Sequence, residues 1–150
     1  CHAVPSIGML SHIGTLILYT NRSDEMQAVV ERVEKEGISI DQAENEQFGA
    51  GHAEIGAYLL GLWGFPAPVI QAVAYHHRPM DLPHQEMTAL TAIYVAQHLT
   101  REVADRDAGV SIESSIDTDY LARIGKHGRL EEWANIAAIV SEKYRELTDS

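Results

Sequence analysis

The amino-acid sequence predicts an all-α domain, a bundle of about seven helices. Apolar residues recur with helical spacing in one segment after another. Capping residues, glycines and prolines stand where such helices would begin and end. No segment shows the strict alternation of a half-buried strand, and a length of 150 residues is typical of one domain.

The first three predicted helices form the amino-terminal part of the chain. The first spans Ser6–Tyr19, with an apolar face made of Ile7, Leu10, Gly14, Ile17 and Leu18. Ser23 is the expected N-cap of the second, which ends at Gly37. Ser39 caps a shorter acidic helix that runs through Glu46. The stretch from Ser23 to Glu46 holds eight acids and two bases, a balance typical of a solvated outer layer.

The next two helices carry most of the chemistry-bearing residues. One runs from His52 to Gly64, with His52, Ile55, Leu59 and Leu62 on one face. Pro66 suits the first turn of the other, which places His76 and His77 on inward helix faces. The pair Arg78-Pro79 ends it, because a residue before proline avoids the α region.

The remaining segments predict three helices and one loop. A long amphipathic helix spans roughly His84–Val103, and the polar stretch Asp105–Thr118 is expected to be a loop. A short helix lies near Asp119–Ile124. The final helix, Leu130–Leu147, is expected to turn five residues inward: Trp133, Ile136, Ala137, Val140 and Tyr144.

Composition excludes several classes of partner. The formal net charge is −11, with 22 acids against 11 bases, and no cluster of Lys and Arg is present. Binding to nucleic acid or to an anionic membrane surface is therefore not expected. A single cysteine, Cys1, allows no internal disulfide, which suits a reducing cytoplasm. The start C-H-A-V-P, without an initiator Met, suggests a piece of a longer chain.

Histidine is unusually frequent, with eight in the chain. Four of them could converge in the fold: His12, His52, His76 and His77. Imidazole is a common ligand of divalent metals, so these four are candidate metal ligands. No compact H-x-x-x-H pair is present. Spacing alone therefore favours the alternative that these histidines are structural core residues satisfied by hydrogen bonds.

One long stretch carries a family resemblance. Ala43–Pro79 contains G-A-G-H-A-E-I-G-A-Y-L-L-G-L-W-G-F-P followed by H-H-R-P, and G-M-L-S-H-I-G lies upstream. This pattern resembles the HDOD family, a branch of the HD-domain superfamily of metal-dependent phosphohydrolases. The resemblance covers most of residues 3–100 and implies an HD-domain-like helical bundle. We accordingly expect a core at 1–104, on which the loop and helices of 105–150 pack.

The sequence departs from the superfamily's metal motif at three positions. Where the resemblance implies a His and an Asp in L-H-D-I-G, this chain has Ser11 and His12. Gln97 stands where a later helix would donate a further Asp. An amide is a poor replacement for a carboxylate on a hard cation. Between Lys35 and Arg101 only one base occurs, so cations to neutralise a phosphate are scarce as well.

These observations favour a non-catalytic signalling module with no catalytic residue and no resident cofactor. The resemblance implies a protein partner or an attached signalling domain, such as the receiver domains to which bacterial HDOD modules are often joined. Homodimerisation stays open. The pocket would be lined by Ser11, His12, His52, Glu54, His76, His77 and Gln97. Glu44 and Glu54 are expected to pair with the histidines.

Two alternatives stay open at this point. The first is a metal-dependent phosphohydrolase or cyclic-dinucleotide phosphodiesterase that uses an altered site of His12, His52, His76 and His77. In that case a divalent metal would be held by His52, His76 and His77. The second is a pH- or metal-responsive sensor that uses the same histidines as its switch.

Overall fold

A computed structural model describes residues 4–82, 86–107 and 116–148. The described residues form nine α-helices and no strand, which confirms the all-α fold. Short 3₁₀ turns at Pro79–Asp81 and His127–Arg129 complete the regular structure. The helices are α1 Val4–Leu10, α2 Ile13–Asn21, α3 Ser23–Glu36, α4 Ile40–Phe48, α5 His52–Leu62, α6 Ala67–Ala74, α7 Ala89–Asp107, α8 Thr118–Arg123 and α9 Leu130–Thr148.

Two of the predicted helix ends are confirmed by their capping geometry. Gly37 closes α3 in the left-handed conformation, with φ of 68°. The Ser39 side chain accepts a hydrogen bond of 3.1 Å from the backbone N–H of Gln42 and so caps α4. In the acidic layer, Arg32 pairs with Glu36 on its own helix and with Glu46 on α4, which ties the two helices together.

The prediction of one helix over Ser6–Tyr19 is wrong. A turn at Ser11 and His12 separates α1 from α2. The Ser11 hydroxyl donates a 2.7 Å hydrogen bond to the carbonyl of Gly8, and such bonds offer the backbone an alternative to the helical ladder. Ser23 is also not an N-cap, because it is already the first residue of α3.

The predicted placement of His76 and His77 on a helix is wrong as well. Helix α6 ends at Ala74, and the two histidines lie in the turn that follows it. The backbone N–H of Arg78 donates to the carbonyl of Tyr75 at 2.9 Å, which closes this turn just before the proline. Helix α6 thus ends four residues before Arg78, the residue whose conformation Pro79 restricts.

The carboxyl-terminal boundaries differ from the prediction in detail. Helix α7 begins at Ala89, whereas the predicted start at His84 lies outside the described residues. It continues to Asp107, so the predicted loop does not begin at Asp105. The part of that loop at residues 108–115 lies outside the description.

Helix α9 buries less of its apolar surface than predicted. Trp133 and Ala137 pack against the core beside α7. Ile136, Val140 and Tyr144 were expected to face inward, yet they are 50%, 60% and 68% exposed. The apolar stripe of α9 is therefore wider than the strip that α7 covers.

Two apolar clusters build the core. The first joins α1, α5, α6 and α7 through Ile7, Ala57, Leu60, Ala72, Val73, Leu90 and Ile93. The second joins α7 to α8 through Tyr94, Val95, Leu99, Tyr120 and Leu121. Within the described part of the chain, no helix combines the length and the apolar character that crossing a membrane requires.

The contact between α2 and α5 is the tightest that a glycine makes in the described structure. A Cβ atom added to Gly14 would lie 2.7 Å from the carbonyl carbon of His52 and 2.9 Å from its Cα. These are backbone atoms, so they cannot move aside as a flexible side chain could. The absence of a side chain at Gly14 thus sets how closely the start of α5 approaches α2.

We predict that Gly14→Ala lowers the free energy of unfolding by about 3 kcal/mol, because the new methyl group must displace backbone. Gly8→Ala is the matched control, since a Cβ there meets nothing within 4 Å. It should leave stability unchanged or raise it by up to about 1 kcal/mol, as alanine favours a helix. Urea unfolding followed by circular dichroism measures both, and equal effects of the two substitutions would contradict the assignment.

Candidate functional site

Three histidine side chains converge where α5 begins. The Nε2 atom of His52 lies 3.4 Å from that of His76 and 2.9 Å from that of His77. Each ring offers one nitrogen that lies within 4.8 Å of the nitrogens of the other two. His52 and His76 are buried, and His77 is partly buried. These residues are called the three-histidine cluster below.

A buried carboxylate fixes the orientation of His52. One oxygen of Glu44 accepts a 2.8 Å hydrogen bond from the backbone N–H of His52 and a 2.6 Å bond from its Nδ1. The Glu44 side chain is fully buried. Because Nδ1 carries the hydrogen in this arrangement, the lone pair of Nε2 points toward the other histidines.

The hydrogen bonds of the other two rings follow the same logic. Nδ1 of His76 donates to the carbonyl oxygen of Val73 at 2.6 Å, which leaves its Nε2 as an acceptor. Two acceptor atoms, on His52 and His76, therefore face each other without a hydrogen between them. The Nε2–H of His77 can donate to His52, which satisfies only one of these lone pairs.

Burial keeps His76 and His77 uncharged. Loss of hydration lowers the pKa of His76 to about 4, with a further contribution from the neighbouring His52. Burial, followed by the nearby His76, lowers the pKa of His77 to about 2. At neutral pH these rings are therefore neutral imidazoles with lone pairs available to a ligand.

The three altered positions form a hydrogen-bonded group beside the cluster. The amide nitrogen of Gln97 donates to Oγ of Ser11 at 3.3 Å and to Nε2 of His12 at 3.2 Å. The His12 ring lies 6.1 Å, between centroids, from the rings of both His52 and His76. Burial, followed by the neighbouring His52, lowers the pKa of His12. Ser11, His12 and Gln97 are called the neutral trio.

Glu54 makes its polar contacts with Gly51 and Arg78 and not with the histidines. Its carboxylate accepts a 3.0 Å hydrogen bond from the backbone N–H of Gly51 and forms an ion pair with Arg78. The Nε atom of Arg78 also lies 3.8 Å from a carboxylate oxygen of Asp41. Burial raises the pKa of Asp41. The structure thus brings together six of the seven predicted pocket residues and assigns Glu54 to a polar network that includes Arg78.

Sequence reasoning named Glu44 only as a partner of the histidines and omitted Asp41. The contact of Glu44 with His52 spans eight residues and two helices, so no periodicity within one helix reveals it. The glycines between α4 and α5 are the local signal. Gly49, with φ of 78°, ends α4 and lets the chain return so that His52 meets Glu44.

The donor set fits one borderline transition metal better than a pair of hard cations. In a tetrahedral zinc site with Zn–N bonds of 2.0–2.1 Å, neighbouring nitrogens are about 3.3 Å apart. The 3.4 Å separation of His52 and His76 matches that edge. Among the described residues, the cluster includes no carboxylate, the ligand that magnesium and calcium require. The three-histidine cluster would therefore hold such an ion, with Glu44 orienting His52 behind it.

Comparisons with known proteins agree with the resemblance noted in the sequence. The profile of the HDOD domain matches residues 3–79. An uncharacterized protein of Treponema pallidum (strain Nichols) is 33% identical over 78 residues, which cover 51% of this chain and 14% of the relative. The chain therefore spans only a small part of that relative's length. No solved structure gives a significant match.

Because the pKa values of His76 and His77 are lowered in the folded protein, the unfolded chain binds more protons than the folded chain below pH 6.5. We predict that the free energy of unfolding is highest above pH 6.5 and falls toward pH 4, by about 1.4 kcal/mol per pH unit for each histidine. Urea unfolding in EDTA between these limits measures the slope.

A matched pair of variants assigns this slope to the cluster. His77→Gln removes one titrating ring and should make the pH dependence shallower. His127→Gln replaces an exposed histidine and should leave it unchanged. A wild-type stability that does not vary between pH 4 and pH 7 would contradict the neutral, buried state of His76 and His77.

Proposed function

Because the chain belongs to the HDOD domain family, we propose that it is a non-catalytic signalling module that acts through contacts with a protein partner or an attached domain. One observation carries this proposal. At the positions that correspond to ligands in HD-domain enzymes, Gln97 donates hydrogen bonds to both Ser11 and His12. Side chains that satisfy one another in this way have no need of a metal ion to hold them in place.

The charge around the pocket also supports a non-catalytic role. Phosphoester hydrolysis requires metal ions or cationic side chains that stabilise negative charge on the phosphoryl oxygens. The rings of His76 and His77 are neutral at neutral pH, and Arg78 forms an ion pair with Glu54. Glu44 brings negative charge close to the pocket, which would repel a phosphate further.

In this proposal the pocket stabilises the module and does no chemistry. The hydrogen bonds of Glu44, His52 and His77 fasten α4, α5 and the turn after α6 to one another. A rigid bundle of this kind could present a constant surface to a partner. The whole protein would then be a cytoplasmic bacterial signalling protein, with this module as its output part.

A second candidate function is metal-dependent phosphodiester hydrolysis at an altered histidine site. The convergence of three imidazole nitrogens within 4.8 Å favours it. A divalent ion bound there would supply Lewis-acid chemistry to a phosphodiester. The cluster would then bind the ion through His52, His76 and His77, and the neutral trio would form the wall opposite.

We predict that the wild-type chain, supplied with Zn²⁺ or Mn²⁺, hydrolyses neither bis-p-nitrophenyl phosphate nor cyclic dinucleotides above the rate of buffer. Restoring the superfamily pattern with Ser11→His, His12→Asp and Gln97→Asp should create metal-dependent turnover, because carboxylates then face the cluster. Release of p-nitrophenol or of linear dinucleotide measures it.

The single substitution His52→Ala in the wild-type chain decides between the two candidate functions. If the wild type shows turnover that His52→Ala abolishes, the altered site is catalytic and the signalling proposal fails. Since His52→Ala also removes a hydrogen bond to Glu44, its folding is checked by circular dichroism. Turnover that survives His52→Ala would indicate a contaminating enzyme.

A further inference from the structure

An open apolar groove lies between α7 and α9, away from the histidines. Its volume is about 600 Å³. On the α9 side it is lined by Ile136, Val140 and Tyr144, each at least half exposed. On the α7 side it is lined by the smaller residues Ala92, Ala96 and Thr100. No part of the proposed function accounts for this surface.

The two sides of the groove differ in shape but share one spacing. Residues four apart on a helix form a continuous row along its surface. Ile136, Val140 and Tyr144 form a row of large side chains, which we call the α9 ridge. Ala92, Ala96 and Thr100 form a row of small ones, which we call the α7 furrow. A ridge on one helix packs best into a furrow on another.

We propose that a second copy of this chain covers the groove, in a two-fold dimer in which the α9 ridge of each copy packs into the α7 furrow of the other. Ridge and furrow lie side by side on one face, so a single two-fold axis can satisfy both at once. Such an interface uses the same surface on both subunits, as in most homodimers.

The exposed apolar area is large enough for a dimer. Beside the α9 ridge, Met87 also lines the groove, and its side chain is 52% exposed. The four large side chains together expose on the order of 400 Å² per copy, close to the apolar part of the about 800 Å² that each partner buries in a standard interface. The α7 furrow adds to this area.

Charge favours a second copy over an oppositely charged peptide. Arg145 is the one charged residue among those that line the described groove, and no carboxylate lines it. A basic peptide would therefore find no acidic partner inside the groove. An uncharged, apolar complement is needed, and the groove face of another copy provides it.

The dimer is tested by sedimentation equilibrium of the full chain between about 1 and 100 µM. The wild type should sediment as a dimer at the upper end. Val140→Glu and Ala96→Lys should each weaken self-association at least about tenfold, because each places two buried charges in the interface. Both positions are exposed in the single chain, so neither substitution disturbs its core.

Mixing the two variants separates this arrangement from other dimers. A mixed pair has one Lys–Glu contact and one native contact, so the two variant chains should associate with each other although neither does so alone. Leu62→Glu on α5 is the control, at an exposed apolar residue outside the groove, and should leave the dimer intact. A monomeric wild type at 100 µM, dissociation by the control, or no association in the mixture would each overturn the proposal.

Discussion

The buried carboxylate of Glu44 organises the site on which this module is built. Its two hydrogen bonds to His52 fix the start of α5, the tautomer of the ring and the direction of the Nε2 lone pair. Gly14 then allows α2 to lie directly against the same residue. Because His52 is held from both sides, His12 and the turn after α6 meet it at fixed distances.

The neutral rings of His76 and His77 limit the chemistry that can take place in the pocket. The protonated state is disfavoured for His76 and His77, so these rings can accept hydrogen bonds or coordinate a soft or borderline ion. They cannot replace the carboxylates that bind hard cations in phosphohydrolases.

Much of the fold could be predicted, because helix ends are governed by local chemistry. Gly37 and Ser39 act within one turn of their own helices, and the pattern around them was sufficient. The break at Ser11 and His12 was missed because it depends on a side-chain hydrogen bond that competes with the helix. The exposure of Val140 was missed because an apolar stripe does not reveal which part of it a neighbour covers.

The sequence predicts that His52, His76 and His77 converge, but it does not predict which side chains pair with one another around them. Motif positions brought His52, His76 and His77 together correctly, whereas Glu54 proved to be engaged by Arg78. Pairing across helices depends on tertiary geometry, which spacing along one helix does not contain.

Because the three-histidine cluster includes no carboxylate among the described residues, we expect no two-metal centre of hard cations in this pocket. Titration of the metal-free protein with Mn²⁺, followed by electron paramagnetic resonance, tests it most directly. We expect fewer than one tightly bound Mn²⁺ per chain and no signal from spin-coupled ions. Two bound Mn²⁺ ions per chain with a spin-coupled signal would contradict the account.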